Sequence, residues 1–464
     1  MRRTTSSFEN FLLRQRRPAP PVASLCCPVP NRSYAFQHGH RPVSWTEPGH
    51  KKDIARSTST RKLCRGQKYY SVVRAPVKVP SDFAFAFDID GVLLRSSTPL
   101  PGASRALRYL ENNCIPYILL TNGGGKLESD RVKELSEKLE VEIKEDIFVQ
   151  SHTPFKQLLD TSGYLSKNAT QLSKKSTILV TGGHGDKCRK VAESYGFENV
   201  VIPADILSAY PDIWPFNQVF TDYYRTTARP LPNPSEPLKI DAIFVYNDPR
   251  DWALDSQLIL DLLLSKGGVL GTKSEKNDDR TLPNSGYLQD GQPHVYFSNP
   301  DLLWAASYHL PRLGQGAFQA ALLGLWQQYT SMNSSHDGAQ LHHTVIGKPS
   351  RITYQYGECV LQERHAAMLG GRHGGGTAAA SLKRVFMVGD NPESDIRGAN
   401  SYNLGRAGGG EQKQHGPAWS SILVKTGVYQ EGTIPAYEPD VIVDNVLEAV
   451  RWALKEQGWK DEIK

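Results

Sequence analysis

Between Phe83 and Val443 the chain repeats one texture: a short, wholly apolar run, a polar cluster, then a stretch of helical period. The runs at 83–87, 117–120 and 147–150 alternate with amphipathic helical patterns over 103–112 and 128–139. An apolar run without polar alternation reads as a strand buried on both faces, and intervening helices require parallel pairing. A second set begins at 177–180, passes through Gly182-Gly183 into a helix from about Asp186, and continues with 240–245 and 295–297. A third set, 385–388, 421–424 and 441–443, resumes the first texture. The fold class expected is therefore α/β, with a parallel sheet built from two separated pieces of chain and a second α/β unit between them.

Four stretches interrupt this rhythm. Residues 223–237 and 271–293 are polar and rich in Pro, Asn and Asp, and read as long loops. Residues 370–380 are almost all Gly and Ala around Arg372-His373, and 405–417 is rich in Gly, Gln and His; both read as insertions. The first 80 residues differ in kind: 16 Lys and Arg stand against Glu9, Glu47 and Asp53, although the whole chain is only +6. Phe8, Phe11, Leu12 and Leu13 lie beside Arg14, Arg16 and Arg17, a short basic amphipathic turn ended by Pro18. That composition is expected of a mitochondrial transit peptide, with the matrix as destination; the plain alternative is a basic tail. The remaining body is mildly acidic, which disfavours nucleic acid as a partner. Six cysteines in 464 residues do not make a disulfide scaffold, and no apolar run approaches a transmembrane segment.

Polar clusters follow four of the apolar runs. Asp88-Ile89-Asp90-Gly91 places two carboxylates two residues apart at a strand end: one can attack an electrophile, the other carry a proton. Thr121-Asn122-Gly123-Gly124-Gly125 offers a hydroxyl, an amide and bare N–H groups for an anion. Lys348 in Gly347-Lys348-Pro349-Ser350 can neutralise charge on a transferred phosphoryl group, and Gly389-Asp390 to Asp395 supplies hard oxygen ligands for Mg²⁺. Each alone reads as a turn or a solvated side chain. Jointly, at the carboxyl edge of one parallel sheet, they fit Mg²⁺-dependent phosphoryl transfer through an aspartyl-phosphate.

Taken together these residues resemble the haloacid dehalogenase superfamily: D-x-D-G at Asp88–Gly91, the Thr of Thr121-Asn122, Lys348, and G-D-x-x-x-x-D from Gly389 to Asp395. The long gap between the second and third motifs resembles subfamily IIA, as does Thr426-Gly427-Val428. Asn299-Pro300-Asp301-Leu302-Leu303-Trp304 and 310–318 are similar to the cat-eye-syndrome-critical-region-protein type. The resemblance implies a Rossmann-like core in two parts, 81–152 and 345–464, around a large C2-type α/β cap at 153–344, after the leader at 1–80. It implies Asp88 as nucleophile and Asp90 as general acid/base. Thr121, Asn122 and Lys348 would bind phosphate; Asp88, the Asp90 carbonyl and Asp390 would hold Mg²⁺; Asp395 would orient Lys348 or the metal's waters. Arg250, in Asn247-Asp248-Pro249-Arg250-Asp251, is the expected substrate contact from the cap.

The reading is a phosphatase acting on a small phosphorylated metabolite, with a second copy of the chain as partner through the cap; the resemblance implies a link to glycerophospholipid metabolism. A catalytically weak binding protein of the same fold is the alternative, disfavoured by the presence of both Asp88 and Asp90. A CDP-alcohol phosphatidyltransferase-type function is disfavoured further, since the chain lacks the membrane helices and repeated Asp motif of such an enzyme. Gly182-Gly183-His184-Gly185 lacks the Lys-Ser/Thr of a phosphate loop and reads as a tight turn. His336, Asp337, His342 and His343 read as solvated, and the Trp and Leu residues of 302–326, at helical spacing, as core of the second unit.

Overall fold

Five residues of unbroken hydrophobicity, Phe83–Phe87, form the centre of a six-stranded sheet and are all buried. The computed structural model describes residues 79–159, 172–216, 221–304, 306, 308, 310–332, 338–370, 381–407 and 416–463. The basic leader and the 370–380 insertion thus lie outside the described residues, apart from Val79, Pro80 and Gly370, as does most of 405–417. The strand order is Val441–Val443, Ala418–Val424, Arg384–Gly389, Phe83–Phe87, Tyr117–Leu120, Phe148–Val149, parallel throughout. Helices Ala103–Asn112 and Val446–Glu456 pack together, and Arg351–Met368 packs against Tyr117–Leu120. One continuous core of Phe, Leu, Ile and Val side chains results.

A second sheet of five parallel strands has the order His343–Val345, His294–Phe297, Ala242–Val245, Thr177–Thr181, Asn199–Val201. Its own apolar clusters lie on either side, one including Leu258, Leu262, Phe318 and Trp326, the other Phe155, Phe244 and Tyr296. The expected α/β class with two parallel layers is what the chain adopts.

Two local expectations differ from the structure, and a third holds with a qualification. Part of 223–237 is helical, within Thr221–Thr227. Residues 271–293 form the expected long loop, and it is tied down: Ser274 donates to Asp290 at 2.8 Å, Asn277 donates to the Leu264 carbonyl at 2.8 Å, and Tyr287 is buried against Trp326. The apolar residues of 302–313 are not core. Leu303–Trp304 and Arg312–Leu313 pair as an antiparallel hairpin with exposed side chains, and the helix begins only at Gln315. Gly314 and Gly316 cause the break: their N–H groups turn back onto the carbonyls of Leu302 and Asp301, both at 2.9 Å. A Cβ at Gly316 would overlap the Pro300 carbonyl.

Candidate active site

Asp88 ends the central strand, its N–H still donating to the Val388 carbonyl at 2.9 Å. The chain turns there because Gly91 takes φ +87°. Glycine is also needed for space, since a Cβ on Gly91 would overlap the Asp390 carboxylate. Asp390 follows the neighbouring strand, Arg384–Gly389, and is buried. Carboxylate oxygens of Asp88, Asp390 and Asp395 all lie within 4.8 Å of one another. The Lys348 ammonium sits between two of them, 2.8 Å from Asp88 and 2.7 Å from Asp395.

One cation among three carboxylates leaves the floor crowded with negative charge. Burial, then Asp88 and Asp395, push Asp390 well above the ordinary carboxylate range. Burial pushes Asp395 up to about 6 despite Lys348. Burial alone would lower Lys348, but Asp395 and then Asp88 hold it above its usual value, so it stays an ammonium. Asp90 opens onto the cleft; the protein around it, and then Asp88, push it up to about 6. A divalent cation would relieve this repulsion, and an all-carboxylate donor set fits hard cations such as Mg²⁺.

The expected residues come together, though not all by the expected route. Lys348 does not follow a strand of the six-stranded sheet. It follows His343–Val345, the edge strand of the second sheet. It reaches the floor because the next helix, Arg351–Met368, docks on the first sheet, with Gly357 fitting closely over Ile118 and Leu120. Thr121 continues its strand and accepts from the Gly123 N–H at 3.0 Å, leaving its hydroxyl hydrogen to donate. The Asn122 side chain is engaged: its Oδ1 accepts from the Lys348 N–H at 2.7 Å, and its Nδ2 donates to the Lys348 carbonyl at 2.9 Å and to Asp301 at 3.0 Å. Arg250 lines the same cleft, with one guanidinium N–H donating to the Asp248 carbonyl at 3.1 Å.

The sequence assigns no role to several residues of this site: Asp301 stands there only within a likeness, and His152 is not singled out at all. Asp301 meets Asn122 across 179 positions, and burial pushes it up to about 7. His152 is fully buried; its Nε2 accepts from the Gly125 N–H at 3.0 Å and its Nδ1 lies 2.7 Å from the Tyr195 hydroxyl. It thereby holds the glycine loop, and burial lowers its pKa to about 4. Thr426-Gly427-Val428, noticed only as a likeness, has a physical role: the Val428 N–H donates to Asp390 at 2.6 Å, and a Cβ on Gly427 would overlap that carboxylate.

Comparison with known proteins bears on this geometry. Residues 85–198 match the family described as haloacid dehalogenase-like hydrolase, and 345–407 match a HAD-hydrolase-like family. The chain is 39% identical over 384 residues to a mitochondrial hydrolase of Saccharomyces cerevisiae, covering 80% of this chain and 95% of that one. It is 39% identical over 386 residues to a cardiolipin synthase (CMP-forming)/mitochondrial hydrolase fusion protein of Schizosaccharomyces pombe; this covers 83% of the chain but spans only 54% of that relative. A 4-nitrophenylphosphatase from Thermotoga maritima aligns structurally at 16% identity and TM-score 0.47, over 80% of this chain and 97% of that one. With motif residues gathered at one sheet edge and a near full-length relative at this identity, the chain belongs to the haloacid dehalogenase-like hydrolases.

Proposed function

We propose that the protein is a Mg²⁺-dependent phosphatase that hydrolyses a phosphate monoester through an aspartyl-phosphate on Asp88. The observation that carries this reading is the Lys348 bridge between Asp88 and Asp395, with Asp390 crowded beside them. That arrangement holds the Asp88 carboxylate in place against the Lys348 ammonium, and the three-carboxylate floor fits a second cation. Asp88, the Asp90 carbonyl and Asp390 would hold Mg²⁺, with Asp395 turned to Lys348. The ion, when bound, supplies Lewis acidity and positive charge for the phosphoryl oxygens.

An Asp88 carboxylate oxygen attacks phosphorus, and the bond from phosphorus to the ester oxygen breaks. Asp90, pushed up to about 6, gives its proton to the departing alkoxide. The same carboxylate then takes a proton from water, whose oxygen attacks phosphorus, releasing inorganic phosphate and regenerating Asp88. Lys348 offsets charge on the phosphoryl oxygens, and Thr121, Gly123 and Gly124 line the same cleft, where the Thr121 hydroxyl has its hydrogen to donate. The Asn122 side chain acts as a brace that fixes Lys348 and Asp301 at the phosphate site.

We read the second unit as the cap over this site. The near full-length yeast relative is named a mitochondrial hydrolase, which, with the basic leader, supports a mitochondrial location. The fusion relative supports a substrate from glycerophospholipid metabolism. Among the described residues no helix is long and apolar enough to cross a membrane. Asp88→Asn and Asp90→Asn, assayed with Mg²⁺ on an aryl and an alkyl phosphate, test the reading. Asp88→Asn falls to background on both. Asp90→Asn loses about 10²–10⁴-fold on the alkyl ester, whose leaving group needs a proton, and less on the aryl ester. Wild-type rates in Asp88→Asn would overturn the reading.

A further inference from the structure

The mouth of the cleft is built unlike its floor. Leu303, Trp304, Arg312 and Leu313 of the hairpin line the same cavity as Asp88 and Lys348, and so do Arg250 and Trp252. Leu303, Trp304 and Leu313 are 44%, 45% and 60% exposed. Apolar surface left in water at a cavity mouth is unfavourable in the empty protein and marks a ligand-binding surface.

The basic residues sharpen this. Five cationic side chains line the cleft: Lys126, Arg131, Arg250, Arg312 and Lys348. Lys126 and Arg131 are both paired with Glu134, and Lys348 with Asp88 and Asp395. Arg250 and Arg312 form no ion pair among the described residues. Their guanidinium hydrogen bonds within the described residues go to main-chain carbonyls, Asp248 at 3.1 Å and Pro311 at 2.9 Å. Arg312 also lies 4.7 Å from the centre of the Tyr308 ring. The phosphoryl group belongs at Asp88 and Lys348, so these two guanidinium groups remain for another anion.

The mouth is also preformed. Leu303 pairs with Leu313 and Trp304 with Arg312 across the hairpin, and Gly314 closes its base on the Leu302 carbonyl at 2.9 Å. Asp301, just before the hairpin, is tied through Asn122 to the Lys348 backbone. The base of the hairpin is thereby joined to the floor.

We propose that this cleft selects an amphiphilic phosphate monoester. The leaving group carries an apolar part that packs on Leu303, Trp304 and Leu313, and a second acidic group that pairs with Arg312 and Arg250. This rests on the phosphatase reading for the placement of the phosphate. The apolar part can be aromatic or a fatty chain; both present the same chemistry to the mouth, and the test separates them.

Four probes suffice: ethyl phosphate, phenyl phosphate, 4-carboxyphenyl phosphate and 12-phosphonooxydodecanoate. Turnover by wild type with Mg²⁺ gives kcat/KM, and calorimetric titration of Asp88→Asn gives affinity without turnover. One or both carboxylated amphiphiles exceed ethyl phosphate by about 10²-fold or more in kcat/KM and in affinity. Which of the two is preferred identifies an aromatic or a fatty substrate. Trp304→Ala reduces the phenyl-to-ethyl ratio about tenfold, and Arg312→Gln reduces the carboxyphenyl-to-phenyl ratio about tenfold. Trp304 and Arg312 are exposed, so both variants retain the wild-type melting temperature. Turnover of all four probes at similar kcat/KM would overturn the inference and leave the phosphatase reading standing. Selective binding that depends on Trp304 and Arg312, without turnover of any probe, would keep the inference and overturn that reading. Absence of both turnover and binding would overturn both.

Discussion

Two buried charge clusters, one in each sheet layer, show how this molecule separates holding itself together from doing chemistry. In the second layer Arg189 and Asp205 meet in a two-pronged pair at 2.8 and 2.9 Å, both almost fully buried. Neighbours supply further bonds: Asp205 accepts from the Ile202 and Arg229 N–H groups, and Arg189 donates to the Thr227 carbonyl, while the Arg189 Nε has no partner among the described residues. At the edge of the first sheet Lys348 alone faces Asp88, Asp390 and Asp395. The first cluster is neutral, one cation matched by one anion. The second is over-charged, lies at the foot of a cleft, and is held that way by glycines at 91 and 427 that admit Asp390. Burying charge costs several kcal/mol per ion unless it is compensated, so the uncompensated cluster is the one shaped for a ligand.

The sharpest break of this comparison is in the matched pair. Arg189→Met strands Asp205 as a buried, unpaired carboxylate, and stability falls by about 3–5 kcal/mol in denaturant titration. A loss below 1 kcal/mol would show that the pair is not structural. The double variant Arg189→Met/Asp205→Leu recovers much of the loss, because an apolar replacement removes the stranded charge.

Between the two layers sits His152, neutral and buried. An unfolded histidine takes up a proton near 6.5, whereas native His152 does so only at about 4. The unfolded state therefore binds more protons in that window, and stability falls as pH drops from about 6.5 to 4, by on the order of 3 kcal/mol. His152→Gln, which can still accept from the Gly125 N–H, shows a shallower acid slope. An unchanged slope would remove His152 from the account.

Smallest, and opposite in sign, is the effect at the open cluster. Asp390→Asn removes one of three crowded carboxylates, so the metal-free protein gains on the order of 1 kcal/mol, a rise of a few degrees in Tm. The same change removes the Tm rise that Mg²⁺ gives wild type. Destabilisation without metal, or an undiminished Mg²⁺ response, would contradict the assignment.

The comparison also explains what the sequence disclosed. Unbroken apolar runs such as Phe83–Phe87 and Tyr117–Leu120, alternating with helical patterns, read as buried parallel strands, and the polar clusters after them at 88–91 and 121–125 are therefore expected to share an edge. The strand before Lys348 was not assignable in this way. His343-Thr344-Val345 is too short and too polar to name its sheet, and only its pairing with Val295–Phe297 does so. Trp304 and the leucines around it have helical spacing, yet main-chain bonds from Gly314 and Gly316 make them a hairpin. Asp301 and His152 owe their places to contacts between layers far apart in the chain, which no local pattern records.

The central claim is that Asp88 becomes covalently phosphorylated. Acid-quenching a turnover of a ³²P-labelled phosphate monoester in Mg²⁺ and mapping the label by proteolysis tests it directly. The account predicts an acid-stable, base-labile acyl phosphate on the peptide carrying Asp88, accumulating further in Asp90→Asn and absent from Asp88→Asn. Steady turnover with no protein-bound phosphate in either wild type or Asp90→Asn, or label on a residue other than Asp88, would contradict it.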